Sequence, residues 1–172
     1  MTPNDNFPKA EHIKKLAKID VVDSIFEVPG VDTLEGKIGP ILSGNKGAAH
    51  YITMPAGMFL SAHTHPTESI IYTAKGEWVL YSECERHHMK EGSLYFMPPD
   101  VETGYEVPFD EPATILIVKF EGPNEPEKFM EYLEGMKKNL EDKHSEGEAF
   151  LLSELNMDHS ARVFETSLKD NK

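Results

Sequence analysis

Short runs rich in Ile, Val, Tyr and Phe, separated by Gly, Pro and Asp, fill the chain from Gly36 to Phe120. Runs of this length between turn-forming residues are typical of strands in an all-β sandwich or barrel. Eight runs are candidate strands: GKIGPILS, AAHYITM, MFLSAHTH, SIIYTA, GEWVLYS, HHMKEG, SLYFMP and ATILIVKF. Eight strands suit a jelly roll, in which two antiparallel sheets enclose one core.

The pattern changes on both sides of this segment. Residues 1–35 are predicted to form an N-terminal arm, residues 36–122 a barrel and residues 123–172 a helical extension. Asn124 is a candidate helix N-cap, and Glu127 completes a capping box with it. The next apolar positions recur at the spacing of one helical face: Phe129, Tyr132, Leu133, Met136 and Leu140. This stripe predicts a helix that covers the barrel. A later apolar group predicts one further short helix: Phe150, Leu151, Leu152 and Leu155.

Two segments inside the predicted barrel carry the candidate chemistry. The first, PAGMFLSAHTHPTESIIYTAKGEW, contains Gly57, five further residues, and then His63 and His65 on either side of one threonine. The second, EGSLYFMPPDVETGYEV, has five residues between Gly92 and Pro98. In this order and at this separation, the two segments resemble the two motifs of the cupin superfamily. The resemblance covers roughly residues 36 to 120, about half of the chain.

The resemblance implies a small double-stranded β-helix barrel, open at one end. Such barrels often hold a divalent metal with two histidines, a glutamate and a third histidine. The resemblance implies no single reaction, because cupins include dioxygenases, isomerases, epimerases, lyases, sugar-binding sensors and storage proteins. Function therefore has to be argued from the residues of the site.

Only half of the implied ligand set is present. His63 and His65 occupy the first two positions, but Ser69 stands where the family has its glutamate, and Thr103 stands where it has its third histidine. Glu68 precedes the glutamate position by one residue, and strand alternation turns it to the opposite face unless the strand begins with a bulge.

Three side chains are candidates for a third ligand, namely Glu68 after a bulge, Glu102 after a one-residue shift of its loop, and His87 if its strand turns it inward. Two histidines and one carboxylate would resemble the facial triad of non-haem iron enzymes. Fe, Mn, Ni and Zn are the metals considered. The alternative is that His63 and His65 line a polar pocket without metal, and the sequence leaves both hypotheses open.

Strand alternation also predicts which side chains face the interior. His50, in phase with Ile52, is expected inside the barrel as a core histidine. The other predicted inward positions are Phe59 and Ser61 beside the histidines, Ser69, Ile71 and Thr73 on the next strand, and Thr103 and Tyr105 in the second motif. An apolar cavity with a few hydroxyls and two imidazoles is the usual composition of a small-molecule site.

The composition and net charge of the chain limit the binding partners and the location that are expected. A chain of 172 residues is long enough for one main domain. Its formal net charge of -13 repels phosphate backbones and argues against nucleic acid. No apolar run approaches the ~20 residues that span a bilayer. Cys84 is the single cysteine, and the N-terminus lacks the apolar core of a secretory signal, so a cytoplasmic location is expected. A homodimer is expected as well.

Two functional hypotheses follow. The first is a small-molecule-binding cupin that holds a polar ligand with five side chains: His63, His65, Ser69, Thr103 and Tyr105. The second is a metal-dependent cupin enzyme, a dioxygenase or isomerase acting on a small oxygen-rich substrate, with metal held by the two histidines and Glu68 or Glu102.

Overall fold

The protein is an all-β barrel with an N-terminal arm and a C-terminal helical extension. A computed structural model describes residues 11–120 and 125–171. The strands are β1 (Lys14–Leu16), β2 (Ile19–Val21), β3 (Val31–Thr33), β4 (Gly36–Ser43), β5 (Gly47–Met54), β6 (Phe59–His63), β7 (Ser69–Lys75), β8 (Trp78–Ser82), β9 (Glu85–Met89), β10 (Leu94–Met97), β11 (Thr103–Glu106) and β12 (Ala113–Phe120). The helices are α1 (Pro126–Ser145) and α2 (Ser160–Asp170), with 3-10 turns at Ile25–Glu27 and Leu152–Glu154.

Two antiparallel sheets form the barrel. One has six strands in the order β10-β7-β12-β5-β4-β3, and the other has four in the order β6-β11-β8-β9. A single apolar cluster joins them, because it takes side chains from both sheets, including Ile71 and Ile115 from the larger and Trp78 and Tyr105 from the smaller. This arrangement confirms the predicted jelly-roll barrel.

Every run that the sequence singled out as a strand overlaps one in the structure. The strand β11 is not among those runs, because it has only four residues and includes a glycine, although alternation was used to place Thr103 and Tyr105 on one inward face. The predicted arm also holds strands: β1 and β2 form a hairpin, and β3 pairs with β4 at the edge of the larger sheet. The arm is anchored there by the Tyr51 hydroxyl, which donates to the Val28 carbonyl at 2.7 Å.

Helix α1 lies against the larger sheet, as the apolar stripe predicts. Leu133 and Leu140 are buried, and Met130 packs with Val31 and Ile38 of the sheet edge. The predicted cap, Asn124, lies outside the described residues. The 3-10 turn Leu152–Glu154 falls where the further short helix was expected, and α2 follows it. In the described part of the chain, no helix is both long enough and apolar enough to cross a membrane.

A bulge in β6 sets the orientation of the site. Thr103 of β11 faces His63, whereas two residues further along Tyr105 faces Leu60, so β6 has one residue more than β11 between these pairs. Gly104 lies opposite the bulge, and a Cβ at that position would come within 2.9 Å of the Leu60 carbonyl oxygen. The bulge shifts the inward phase of β6 by one residue.

The turn between β7 and β8 gives a test of the fold. Gly76 has φ +80°, and a Cβ there would lie 2.5 Å from the carbonyl oxygen of Pro112. We expect Gly76→Ala to lower the free energy of unfolding by about 3 kcal/mol, because the left-handed backbone and the clash act together.

Gly92 is the matched control, since its φ is +90° but no described atom comes within 4 Å of the added Cβ. Gly92→Ala should cost only about 1 kcal/mol in urea unfolding. Equal losses in the two variants would contradict the clash.

Candidate functional site

A cavity lies inside the barrel beneath α1. Its volume is about 100 Å³, and it adjoins a second cavity of about 260 Å³, which we call the vestibule. Five side chains border both spaces: His50, His65, Lys119, Phe129 and Tyr132. The inner cavity is otherwise lined by Glu35, Ile38, Ile52, Met54, Met58, Leu60, His63, Ser69, Ile71, Met97, Tyr105, Ile117, Leu133 and Met136. The lining is thus mostly apolar with a few polar groups, which is the usual composition of a small-molecule site.

The two motif histidines lie side by side at this cavity. Their ring centroids are 4.6 Å apart and the rings are close to perpendicular. His63 ends β6, and its Nδ1 is 3.0 Å from the Ser61 carbonyl oxygen, which leaves Nε2 for the cavity. His65 follows the strand, and burial, with the nearby His63 and Lys119, lowers its pKa to about 4. His65 is therefore a neutral imidazole at physiological pH.

Ser69 is the most telling polar group in the cavity. It begins β7, its side chain is fully buried, and its Oγ has no hydrogen-bond partner among the described residues. A buried hydroxyl without a partner costs about 1–3 kcal/mol. By contrast, the hydroxyl of Thr73, which is also fully buried on the inward face of the same strand, accepts a hydrogen bond from Trp78 Nε1 at 2.9 Å.

Tyr105 and Thr103 lie on the same inward face of β11, but only Tyr105 borders the cavity. The Tyr105 hydroxyl is 2.9 Å from that of Tyr95, and burial raises the pKa of both phenols. Its ring stacks on Trp78 with centroids 5.2 Å apart. Thr103 Oγ1 donates instead to Met97 Sδ at 3.4 Å, so this hydroxyl already has a partner.

Besides Thr103, two expected lining residues of β6 do not border the cavity. Phe59 faces away from the cavity and packs with Leu152 and Ala161 of the helical extension. Ser61 donates to Glu148 Oε1 at 3.3 Å and does not border the cavity. The physical reason is the bulge in β6, which puts Leu60, and not Phe59, on the side of His63.

The candidates for a third metal ligand do not reach the histidines. Glu68, Glu102 and His87 are all exposed, and none borders the cavity. For Glu68, β7 begins with regular pairing of Ser69 to Met97 and to Lys119, so no bulge turns the glutamate inward. The expectation of Glu68 as a metal ligand is therefore wrong in its geometry.

These residues do not fit a resident divalent metal. Protein sites for catalytic zinc or iron supply about three ligands. Within the described ranges, no three His, Cys, Asp or Glu side chains gather at ligating distance. The two positions that would complete a cupin ligand set hold a serine hydroxyl and a threonine hydroxyl bonded to sulfur.

Three cavity residues were missed or underestimated by the sequence. His50 was expected as a core histidine, but it borders both cavities, and burial with nearby Lys119 and His65 lowers its pKa to about 3. Lys119 follows Ile115 and Ile117 at alternate positions of β12 and borders the cavity. Strand alternation alone would therefore have predicted its inward position. Glu35 sits in the turn between β3 and β4, and burial raises the pKa of its carboxyl. A turn residue has no periodic signal, so the sequence could not have found Glu35.

Comparison with solved structures identifies the same barrel elsewhere. A conserved protein with a double-stranded β-helix domain from Klebsiella pneumoniae subsp. pneumoniae MGH 78578 aligns over 60% of this chain and 92% of its own, with TM-score 0.53 and 19% identity. An RmlC-like cupin from Shewanella frigidimarina NCIMB 400 aligns over 54% and 82%, with TM-score 0.49 and 16% identity. At 19% identity the likeness to the Klebsiella pneumoniae protein shows the fold alone.

The DMSP lyase DddQ of Ruegeria pomeroyi DSS-3 is also similar, at 22% identity and TM-score 0.46. The alignment covers 49% of this chain and 46% of the lyase, so it spans less than half of the lyase's length. No curated protein sequence is significantly similar to this chain.

A barrel of this topology with an internal cavity defines a cupin ligand-binding domain. The sequence model of the AraC-like ligand binding domain matches residues 49–155, more than half of the chain. The protein therefore belongs to the AraC-like ligand binding domain family, which is a cupin family.

Proposed function

We propose that this protein binds a small organic molecule in the cavity beneath α1 and that binding does not require a resident metal. The ligand contacts the imidazoles of His63 and His65 and reaches the buried hydroxyl of Ser69. Membership of a ligand-binding family supports the binding role. The donor set supports binding without metal, because two imidazoles without a third ligand hold a divalent ion weakly.

The observation that carries the proposal is the unpartnered Ser69 hydroxyl. Its Oγ is buried, borders the cavity and has no acceptor or donor among the described residues. Binding sites commonly hold polar groups whose partner is supplied by the ligand, and the hydrogen bond formed recovers the desolvation cost of both groups. The same residue occupies the position at which metal-dependent relatives of the fold would have a glutamate.

Replacing Ser69 tests this role. We expect Ser69→Ala to raise the free energy of unfolding of the ligand-free protein by about 1 kcal/mol, because it removes an unsatisfied buried hydroxyl. Ligands found in a thermal-shift screen of small metabolites should bind the variant about tenfold more weakly. Chemical denaturation gives the first quantity and calorimetric titration the second.

Thr73→Val is the matched control, since Thr73 is on the same strand and equally buried but accepts from Trp78. This variant should lose about 1–3 kcal/mol of stability by leaving the indole N–H unpaired. If Ser69→Ala were destabilised like Thr73→Val and kept its ligand affinity, the Ser69 hydroxyl would have only a structural role.

The metal-dependent dioxygenase or isomerase is not proposed, because no described residue completes the ligand set. Elemental analysis of untagged protein, repeated on His63→Ala/His65→Ala, tests this choice. Stoichiometric metal that is lost in the double variant would reverse it. A homodimer and a cytoplasmic location stay predictions, and light scattering after size-exclusion chromatography tests the former.

A further inference from the structure

Lys119 occupies the junction between the inner cavity and the vestibule. It is the seventh residue of β12, and its backbone pairs with Ser69 of β7 on one side and Ala48 of β5 on the other. Ile115 and Ile117 precede it on the inward face of the same strand. Its side chain is half-buried, and this burial lowers the pKa of its ammonium group. A lysine placed inward in a mostly apolar barrel needs a negative partner to offset its desolvation.

The described residues do not supply that partner. Lys119 forms no ion pair with any acidic side chain in residues 11–120 and 125–171. Glu125, at the vestibule, pairs with Lys128 at 3.1 Å. Glu35 borders the inner cavity but forms no ion pair with Lys119, and burial raises the pKa of its carboxyl. The junction is therefore locally positive in a chain with a formal net charge of -13.

Hydrogen-bond donors line the same cavity as Lys119. His50 and His65 border the same junction, and each neutral imidazole offers one N–H. The Ser69 hydroxyl, opposite Lys119 in the strand pairing, offers a further donor. One cation with several N–H and O–H donors is the usual recognition set for an anionic oxygen group.

The remainder of the inner cavity is mostly apolar, with Glu35, His63 and Tyr105 as its other polar groups. Ile71, Met97 and Ile117 form its floor, and Phe129 of α1 packs against His50 with ring centroids 4.9 Å apart. Polar atoms of a ligand would find few partners along these walls, whereas hydrocarbon would gain about 25 cal/mol per Å² buried. The walls therefore select a ligand whose polar atoms are concentrated at one end.

Within the small-molecule function proposed above, on which this inference rests, we infer that the ligand is a small monocarboxylate with a compact apolar body. Its carboxylate contacts the Lys119 ammonium group and the donors of His50, His65 and Ser69. Its hydrocarbon part lies against Ile71, Met97 and Ile117. A dianion such as a phosphate ester would leave one charge uncompensated by the single cation. A polyol would leave hydroxyls unpaired along the apolar walls.

Probes of equal size that differ in charge distinguish the contribution of the ligand's carboxylate from that of its shape. The full chain is titrated with valerate and valeramide and with benzoate and benzamide, which pair a carboxylate with a neutral amide of the same size. Binding is followed by calorimetry and by fluorescence of Trp78, the single tryptophan, whose ring stacks on the cavity residue Tyr105. We expect each carboxylate that binds to have a Kd about tenfold lower than that of its amide.

Three variants assign this preference to Lys119. Lys119→Met keeps the length of the side chain and should abolish the preference for the carboxylate over its amide. Lys119→Arg should retain the preference. Lys90→Met removes an exposed lysine outside the cavity and should behave as wild type. Denaturation midpoints confirm that each variant is folded before titration.

Each contrary result would overturn a different statement about the ligand or its binding site. Equal affinity for carboxylate and amide in the wild type overturns the carboxylate but leaves small-molecule binding intact. A preference that survives in Lys119→Met overturns the role of Lys119. If all four probes fail to bind across the millimolar range while a neutral polyol binds, the inference is wrong and the proposed function stands. If the metabolite screen also gives no ligand, both are wrong.

Discussion

Replacing Arg86 with methionine is expected to lower the free energy of unfolding by about 3–5 kcal/mol. Arg86 of β9 donates through Nε and Nη2 to the carboxylate of Glu106 in β11, at 2.9–3.2 Å. The side chains are only 9% and 2% exposed, so the variant leaves a buried carboxylate without its partner. Arg86 also donates to Ser160 Oγ at 3.1 Å and lies 4.5 Å from the Tyr81 ring centroid. The pair thus connects the smaller sheet to α2.

Two further variants distinguish the unpaired charge from lost packing. Arg86→Met/Glu106→Leu removes both charges and should recover most of the stability lost in the single variant. Lys169→Met breaks an exposed pair with Glu165 on α2 and should cost less than about 1 kcal/mol. Urea unfolding measures all three. A double variant no more stable than Arg86→Met would show that the packing of the guanidinium, and not the charge, is the source of the stability.

The second large effect is a loss of stability in acid that originates at His50. The ring is buried in the folded protein and its pKa is lowered to about 3, whereas an unfolded histidine titrates near ~6.5. Below ~6.5 the unfolded chain therefore binds a proton that the folded protein excludes, and stability falls with pH until the folded pKa is reached. The expected loss from His50 is about 3 kcal/mol between pH 7 and pH 4. His65, with a pKa of about 4, acts in the same direction.

Urea midpoints measured at several pH values check this expectation. His50→Leu retains an apolar contact with Phe129 and lacks the titrating group, so its stability should fall less steeply between pH 7 and pH 4. His87→Gln, an exposed position on β9, should retain the wild-type slope. A wild-type protein that loses no more stability in acid than His50→Leu would show that the ring is protonated without cost in the folded state.

The strand pattern predicted the barrel well because each inward face is defined by repeated alternation. Ile71 and Thr73 lie inside as their phase with Ser69 requires, and the helix stripe places Leu133 against the sheet. Alternation did not predict a strand where the run of residues was short. The strand β11 has four residues and includes Gly104, so it was not predicted although it pairs with both β6 and β8.

The site was predicted only in part, for two physical reasons. Alternation assumes a regular strand, and the extra residue in β6 reversed the orientation of Phe59 relative to His63. Tertiary contacts also bring in residues from distant turns, and Glu35 reaches the cavity from the hairpin that precedes β4. Lys119 could have been predicted from the sequence, because alternation along β12 places it on the inward face with Ile117. Only its charge argued against an interior position.

The bulge of β6 also allows this strand to change its length by one residue beside the site. Deleting Ala62 would leave His63 opposite Thr103 and Leu60 opposite Tyr105, with Ser61 alone opposite Gly104, so the pairing with β11 would become regular. Leu60 and His63 would then be two residues apart on one face, as regular alternation requires, and both would stay on the inward side. The length of this strand can therefore vary by one residue at the edge of the cavity without exchanging the side chains that line it.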